Sequence, residues 1–76
     1  MLEKVKKVMS VVFEIQDEQI NELTSPDTVA NWDSLRHINL VTSLEEEFDT
    51  RFTDEQISEM LNVKLIIQIL KENLER

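Results

Sequence analysis

Apolar residues recur at steps of three and four positions through the first segment of the chain, residues 2–13. This spacing is the repeat of one face of an α-helix, and it predicts an amphipathic helix of about three to four turns whose apolar face lies in a core. The pattern fades near Gln16. The predicted core face consists of Leu2, Val5, Val8, Met9, Val12 and Phe13.

The next stretch, residues 17–31, is polar and rich in turn-forming residues, and it contains the one proline, Pro26. It shows no helical repeat. A connection of this length in a small domain is usually functional or held down by anchors. We therefore predict a long ordered loop anchored by the side chains of Ile20, Leu23 and Val29.

Residues 35–48 carry the most regular helical pattern in the chain, and it separates into two apolar stripes. The predicted core face comprises His37, Leu40, Val41, Leu44 and Phe48. A neighbouring stripe, here called the flank, comprises Leu35, Ile38 and Thr42 and is bordered by Glu45 and Glu46. The flank is either an exposed docking surface, with carboxylates for steering, or a surface that packs under the long loop.

A capping box marks the third helix. Thr53 can cap its start while Gln56 reaches back, and Phe52 and Ile57 are spaced as a hydrophobic staple. The motif predicts a short helix that ends at Met60.

Glycine is absent from the chain, which excludes Gly-rich phosphate-binding loops and removes the residue that most often ends a helix in the left-handed conformation. Asp49 and Asn62 are the predicted substitutes in the turns after the second and third helices. Asn62 is also predicted to cap the last helix. The apolar positions of that helix are Val63, Leu65, Ile66, Ile67, Ile69, Leu70 and Leu74.

Residues 1–76 are expected to form a single domain, close to the size at which one hydrophobic core is only just sufficient. The four helical patterns predict an all-α fold. The chain has no cysteine and one histidine, so disulfides and a zinc cluster are not expected. No apolar run approaches membrane-spanning length, and the charged residues near the N-terminus differ from a signal peptide, so a cytoplasmic location is expected.

Acidic residues outnumber basic residues by sixteen to eight, which gives a net charge of −8. The excess is concentrated between residues 14 and 59, where thirteen acidic residues stand against two basic ones, a local net charge of −11. This charge argues against nucleic acid and anionic membranes as partners and favours basic protein surfaces. The alternative is a solvated acidic surface that keeps a small protein in solution.

The residues at the start of the second helix suggest a modification site. Asp33 can cap the helix through its side-chain oxygen, which places Ser34 at the first helical position. A phosphodiester on that hydroxyl would lie over free backbone N–H groups and the positive end of the helix dipole. Plain helix capping is the alternative interpretation of the same residues.

Ser34 and His37 lie three residues apart, which could place a hydroxyl and an imidazole on neighbouring helical turns. A serine nucleophile also needs an oriented base and an oxyanion hole, and the chain has no obvious orienting acid. No catalytic residue is therefore predicted, and His37 is interpreted as partly buried beneath the loop. Trp32 is interpreted as packing over the loop, with contact to a partner as the alternative.

Three motifs resemble the acyl carrier protein family in their order and spacing. They are Asp33-Ser34-Leu35 at the start of the second helix, Leu44-Glu45-Glu46-Glu47-Phe48 at its end, and Phe52-Thr53-Asp54-Glu55 before the short helix. The resemblance covers the whole chain. It implies a four-helix bundle of acyl-carrier type, with a long loop between helices 1 and 2 and a short third helix.

The resemblance implies that Ser34, flanked by Asp33 and Leu35, receives 4′-phosphopantetheine from coenzyme A through a phosphopantetheinyl transferase. The thiol of that group then holds acyl chains as thioesters for acyl-transferring or condensing enzymes with basic docking surfaces, and the chain is a monomeric carrier without enzymatic activity. The partner contacts implied are Asp33, Leu35, Arg36, Ile38, Thr42, Glu45 and Glu46. The implied walls of an acyl pocket are Leu44, Phe52, Ile57, Met60 and Ile66.

The chain departs from the family pattern in two places. Arg36, His37 and Asn39 stand where many fatty-acid carriers have acidic residues, so partners outside housekeeping fatty-acid synthesis are expected. Ile57 and Ile66 are bulkier than the small residues often found at the matching positions, which predicts weak sequestration of long acyl chains. Three functions stay open: an acyl carrier of fatty-acid-like, polyketide or specialised lipid biosynthesis, an aminoacyl or D-alanyl carrier, and a non-covalent helical adaptor.

Overall fold

The computed structural model describes residues 1–75, and its regular elements are helices. They are α1 (Leu2–Phe13), a 3-10 turn (Asp17–Gln19), α2 (Ser34–Phe48), α3 (Asp54–Glu59) and α4 (Val63–Leu74). The all-α fold, the long loop between α1 and α2 and the short third helix are confirmed. The 3-10 turn inside the long loop was not predicted. Between residues 1 and 75, none of these helices combines the length and apolar character that crossing a bilayer requires.

One core holds the helices together, and it receives the predicted apolar faces of α1, α2 and α4. Burial of these side chains is the main stabilising contribution in a fold of this size. The fully or nearly fully buried members from the three long helices are Val5, Met9, Phe13, Leu40, Val41, Leu44, Val63, Ile66, Ile69 and Leu70.

The short helix α3 is fixed at its start by side-chain hydrogen bonds. Thr53 and Gln56 form the predicted capping box, each side chain accepting from the backbone N–H of the other at 3.1 Å. Gln56 also donates through Nε2 to the side-chain oxygen of Asn73 in α4 at 2.9 Å, and Asn73 donates to the carbonyl of Arg51 at 3.1 Å. These bonds give α3 a defined position, although six residues alone form an unstable helix.

Two helices end on a left-handed residue other than glycine. Asp49 has φ 51° after α2, as predicted, and Glu14 has φ 56° after α1. Because Glu14 turns the chain, α1 ends at Phe13, three residues before the predicted fade at Gln16. The prediction of a left-handed Asn62 was wrong: its φ is −161°, and its side chain instead caps α4 by accepting from the N–H of Leu65 at 2.8 Å.

The long loop is anchored at Ile20 and Val29, which are buried as predicted. The prediction of Leu23 as an anchor was wrong, because its side chain is 77% exposed, and Thr24 is buried in its place. Thr24 accepts from the N–H of Asn21 through Oγ1 at 2.9 Å, and its carbonyl accepts from the N–H of Val63 at 3.0 Å. The backbone of the loop therefore satisfies a donor at the start of α4, and the hydroxyl of Thr24 satisfies a donor within the loop, which a leucine side chain could not do.

Candidate functional site

Ser34 lies exposed at the first position of α2, and the predicted cap on this helix is confirmed. Asp33 accepts from the N–H of Arg36 through Oδ1 at 2.8 Å, and its carbonyl accepts from the N–H of His37 at 2.9 Å. Within residues 1–75, the N–H groups of Ser34 and Leu35 have no hydrogen-bond acceptor. These two free donors and the helix dipole make the surroundings of the Ser34 hydroxyl favourable to an anion.

The C-terminal end of α1 holds the start of α2 in place. Asn31 donates through Nδ2 to the carbonyl of Phe13 at 3.1 Å, and Arg36 donates through Nη1 to the carbonyl of Val12 at 2.6 Å. Arg36 also pairs with Glu14 at 3.3 Å. Both side chains satisfy carbonyl groups that the end of α1 leaves without helical partners, so the position of Ser34 depends on α1 as well as on α2.

His37 connects the long loop to α3. The indole N–H of Trp32 donates to Nδ1 of His37 at 2.9 Å. Because Nδ1 accepts, the neutral ring carries its proton on Nε2, which donates to the carbonyl of Ile57 at 2.9 Å. The partly buried position predicted for His37 is confirmed, and both ring nitrogens are engaged away from Ser34, so the imidazole has no lone pair left to act as its base.

Trp32 packs inside the molecule, as predicted, and is 7% exposed. Its ring lies between Phe13, with centroids 5.0 Å apart, and His37, with centroids 6.1 Å apart and planes 22° from parallel. The indole therefore contacts both the end of α1 and the imidazole of α2, and it lines the groove beside Ser34 in a fixed position.

The flank is open to solvent. Leu35 is 71% exposed and Ile38 is 54% exposed, while Thr42 is also exposed, so the alternative in which Leu35 and Ile38 pack under the loop is excluded. Glu46 is exposed below the flank. Glu45 is half-buried, and its carboxylate accepts from the N–H of Phe52 at 2.9 Å, which uses part of its hydrogen-bonding capacity inside the chain.

An open groove of about 630 Å³ adjoins Ser34 between α2, α3 and the long loop. Two of the five implied acyl-pocket residues, Ile57 and Met60, line this groove. The other three, Leu44, Phe52 and Ile66, pack in the core with exposures of 0%, 9% and 0%. The acyl pocket as a set of five residues stays a prediction. Other residues lining the groove are Pro26, Ile38, Asp54, Ser58 and Leu61.

The sequence did not predict the hydrogen bonds that join the long loop to α1 and to α2 at this site. The contact of Asn31 with α1 and the pairing of Trp32 with His37 join segments whose relative placement is set by tertiary packing. The sequence held one signal for the pairing of Trp32 with His37. Both side chains are interpreted as packed or partly buried, and buried polar groups need hydrogen-bond partners. The two residues lie five positions apart, so each could be the partner of the other. Among residues 1–75, no three acidic or histidine side chains are grouped so that they could hold a metal ion.

No protein-family model matches the chain. A solved structure does: the solution NMR structure of holo acyl carrier protein from Geobacter metallireducens is similar to it with a TM-score of 0.88 and 27% sequence identity. The alignment covers 99% of this chain and 86% of that chain. The chain therefore has the acyl carrier protein fold, and the sequence identity supports the carrier family without distinguishing a pathway.

Proposed function

We propose that the chain is an acyl carrier protein whose residue Ser34 carries 4′-phosphopantetheine. The observation that supports this most directly is the placement of Ser34 within a carrier fold. Its hydroxyl is exposed at the start of α2, next to two free backbone N–H groups and an open groove. The structural relative is a holo acyl carrier protein, and holo denotes the form that bears its prosthetic group.

The residues at Ser34 fit a phosphodiester. In the proposed modification the Ser34 oxygen bonds to the phosphorus that carries the pantetheine arm of coenzyme A, and the pyrophosphate bond to adenosine bisphosphate breaks. The hydroxyl proton leaves to a base of the transferase. The free N–H groups of Ser34 and Leu35 would favour a phosphate on this hydroxyl, while Asp33 is already engaged in capping the helix.

The attached arm supplies a thiol that holds acyl groups as thioesters, and this chain supplies the position of the arm and the surface that partners recognise. The catalytic groups then belong to the partner enzymes, in agreement with a His37 that is fully engaged within the chain. We assign the carrier to fatty-acid-like, polyketide or specialised lipid biosynthesis, as one domain over residues 1–76 that acts as a monomer in the cytoplasm.

The proposed partners are a phosphopantetheinyl transferase and acyl-transferring or condensing enzymes with basic docking surfaces. The exposed flank offers apolar contacts, and Asp33 and Glu46 offer negative charge at its two ends. Arg36 is partly turned towards Glu14, so it adds little free positive charge to this surface. The chain therefore presents a moderately acidic face beside Ser34. Acidic residues at the positions of Arg36, His37 and Asn39 would make this face more negative.

Intact mass measures the proposed modification. The apo protein is incubated with coenzyme A and a broad-specificity phosphopantetheinyl transferase, and the expected result is a gain of one phosphopantetheinyl group. Ser34→Ala abolishes the gain. Ser58→Ala is the matched control, because Ser58 also lines the groove but donates its hydroxyl to the carbonyl of Glu55, and this variant is modified normally. No gain, or a gain that persists in Ser34→Ala, contradicts the proposal and favours a non-covalent adaptor.

A further inference from the structure

A polar bridge lies where the groove beside Ser34 meets the hydrophobic core, since Trp32 and Met60 line the groove and also belong to the core. The bridge consists of the indole N–H of Trp32, the imidazole of His37 and the carbonyl of Ile57, joined by two hydrogen bonds of 2.9 Å. It spans the gap between the long loop, α2 and α3. We call it the His37 bridge.

The His37 bridge lies on the direct route from Ser34 into the core. Ser34, His37 and Leu44 follow one another down one side of α2, at separations of three and seven residues. Ile38 and Leu61, which line the groove with Ser34, are 54% and 60% exposed. Leu44 and Ile66 are fully buried in the core and are not among the residues that line the groove. A chain that starts at Ser34 and heads for the core between α2 and α3 meets the imidazole first.

Opening the bridge is unfavourable because the indole N–H of Trp32 would lose its acceptor, and the carbonyl of Ile57 would keep only the longer bond of 3.4 Å from the N–H of Met60. An acyl chain that passed between α2 and α3 would separate the indole N–H and the Ile57 carbonyl from His37 and surround them with methylene groups, which cannot form hydrogen bonds. A change of the Trp32 rotamer is also unfavourable, because the ring is 7% exposed and packs against Phe13 with centroids 5.0 Å apart. The core beyond is also filled, so entry would require further displacement of Leu44 or Ile66.

We propose that His37 is a specificity-determining residue that keeps a thioester-bound acyl chain in the open groove and out of the core. This proposal rests on the proposed modification of Ser34. The carrier then presents its cargo at the surface against Ile38, Ile57 and Leu61, where a partner enzyme reaches it without first drawing it out of the helical bundle. The proposal gives a structural cause for weak sequestration of long chains that does not depend on the size of Ile66.

Methyl NMR on loaded protein tests this placement. The transferase is supplied with hexanoyl- or decanoyl-coenzyme A, intact mass confirms loading, and the methyl resonances of Ile, Leu and Val are compared with those of the form carrying the arm alone. The expected result is that Ile38, Ile57 and Leu61 shift with either acyl group. Leu44 and Ile66 keep their resonances even with decanoyl. Shifts of Leu44 and Ile66 in the unaltered protein, or unshifted groove methyls, overturn the proposal.

Variants then test whether His37 is responsible. His37→Ala removes the bridge, and decanoyl loading is expected to shift Leu44 and Ile66. Trp32→Phe removes the donor while it keeps a ring against Phe13, and the same result is expected there, so the test survives if one variant fails to fold. Asn39→Ala, an exposed neighbour on α2, behaves like the unaltered protein. Unshifted core methyls in a folded bridge variant overturn the role of His37. A failure of modification shows instead as no mass gain, before any acyl measurement.

Discussion

Asp33 has two separate roles at the start of α2, one in the helix and one at its surface. Its side chain accepts from the N–H of Arg36 at 2.8 Å, which satisfies a donor that the first turn leaves open. Its charge lies next to Ser34, where the proposed transferase docks. An amide side chain can perform the first role but not the second, so the two are separable by substitution.

Replacing Asp33 therefore has predictable effects on stability. Asp33→Ala loses the cap and is expected to lower the free energy of unfolding by about 1 kcal/mol, whereas Asp33→Asn keeps it close to that of the unaltered protein. Urea unfolding followed by circular dichroism measures both. Asp27→Ala in the exposed part of the loop is the control and is expected to stay within about 0.5 kcal/mol. Equal losses for the Ala and Asn variants would show that charge, and not the cap, stabilises the helix start.

At the level of the helices, local signals predicted most of the starts and few of the ends. Caps at Asp33, Thr53 and Asn62 depend on side chains within three residues of the donors they satisfy, so they are readable from the sequence. The end of α1 is different, because Glu14 adopts the left-handed conformation without any residue preference for it. Contacts with Asn31 in the long loop and with Arg36 in α2 decide where α1 stops.

The same distinction applies to the candidate site. Ser34 and the flank were predicted because capping and helical spacing are local. The groove and the His37 bridge were not, since they depend on how α3 and the long loop approach α2. Ile57 contributes its backbone carbonyl to the bridge, and a carbonyl has no signature in a sequence.

Thr24 is buried in the long loop because its hydroxyl satisfies a backbone N–H there, while the more hydrophobic Leu23 stays exposed. Thr24→Val keeps the shape of the side chain but removes the acceptor for the N–H of Asn21, so we expect unfolding free energy to fall by about 1–2 kcal/mol. Leu23→Ala is expected to change it by less than about 0.5 kcal/mol, since that side chain is 77% exposed. Chemical unfolding of both variants measures the contrast.

Thr28→Val is the matched control for Thr24→Val. Thr28 also accepts a backbone N–H, that of Ser25 at 3.0 Å, but in an exposed turn where water can replace the bond. We expect a change within about 0.5 kcal/mol. A loss from Leu23→Ala as large as that from Thr24→Val would restore Leu23 as an anchor and contradict the structure of this loop.

Across the whole molecule, the exposed apolar side chains differ in whether they lie beside Ser34 or away from it. Leu35 and Ile38 are exposed on α2 beside Ser34, within the acidic middle of the chain. Val11 is exposed to a similar degree, 75%, but it lies on α1 next to Lys7 in a groove away from Ser34. An apolar side chain at a docking site gains affinity from its contacts, while the net charge of −8 raises the rate at which a basic partner arrives.

This arrangement predicts a kinetic difference between two exposed apolar truncations. Leu35→Ala is expected to lower kcat/KM of the phosphopantetheinyl transferase by about tenfold, which corresponds to the loss of one well-buried interface side chain. Val11→Ala is expected to leave it unchanged. Since Leu35 is 71% exposed in the free protein, both variants keep the unfolding midpoint of the unaltered chain, and this separates docking from stability.

Rising salt lowers kcat/KM for all three proteins in parallel, because the long-range attraction comes from the whole acidic surface and not from Leu35. Equal kcat/KM for Leu35→Ala and Val11→Ala would remove the flank from the docking surface, even if Ser34 is modified.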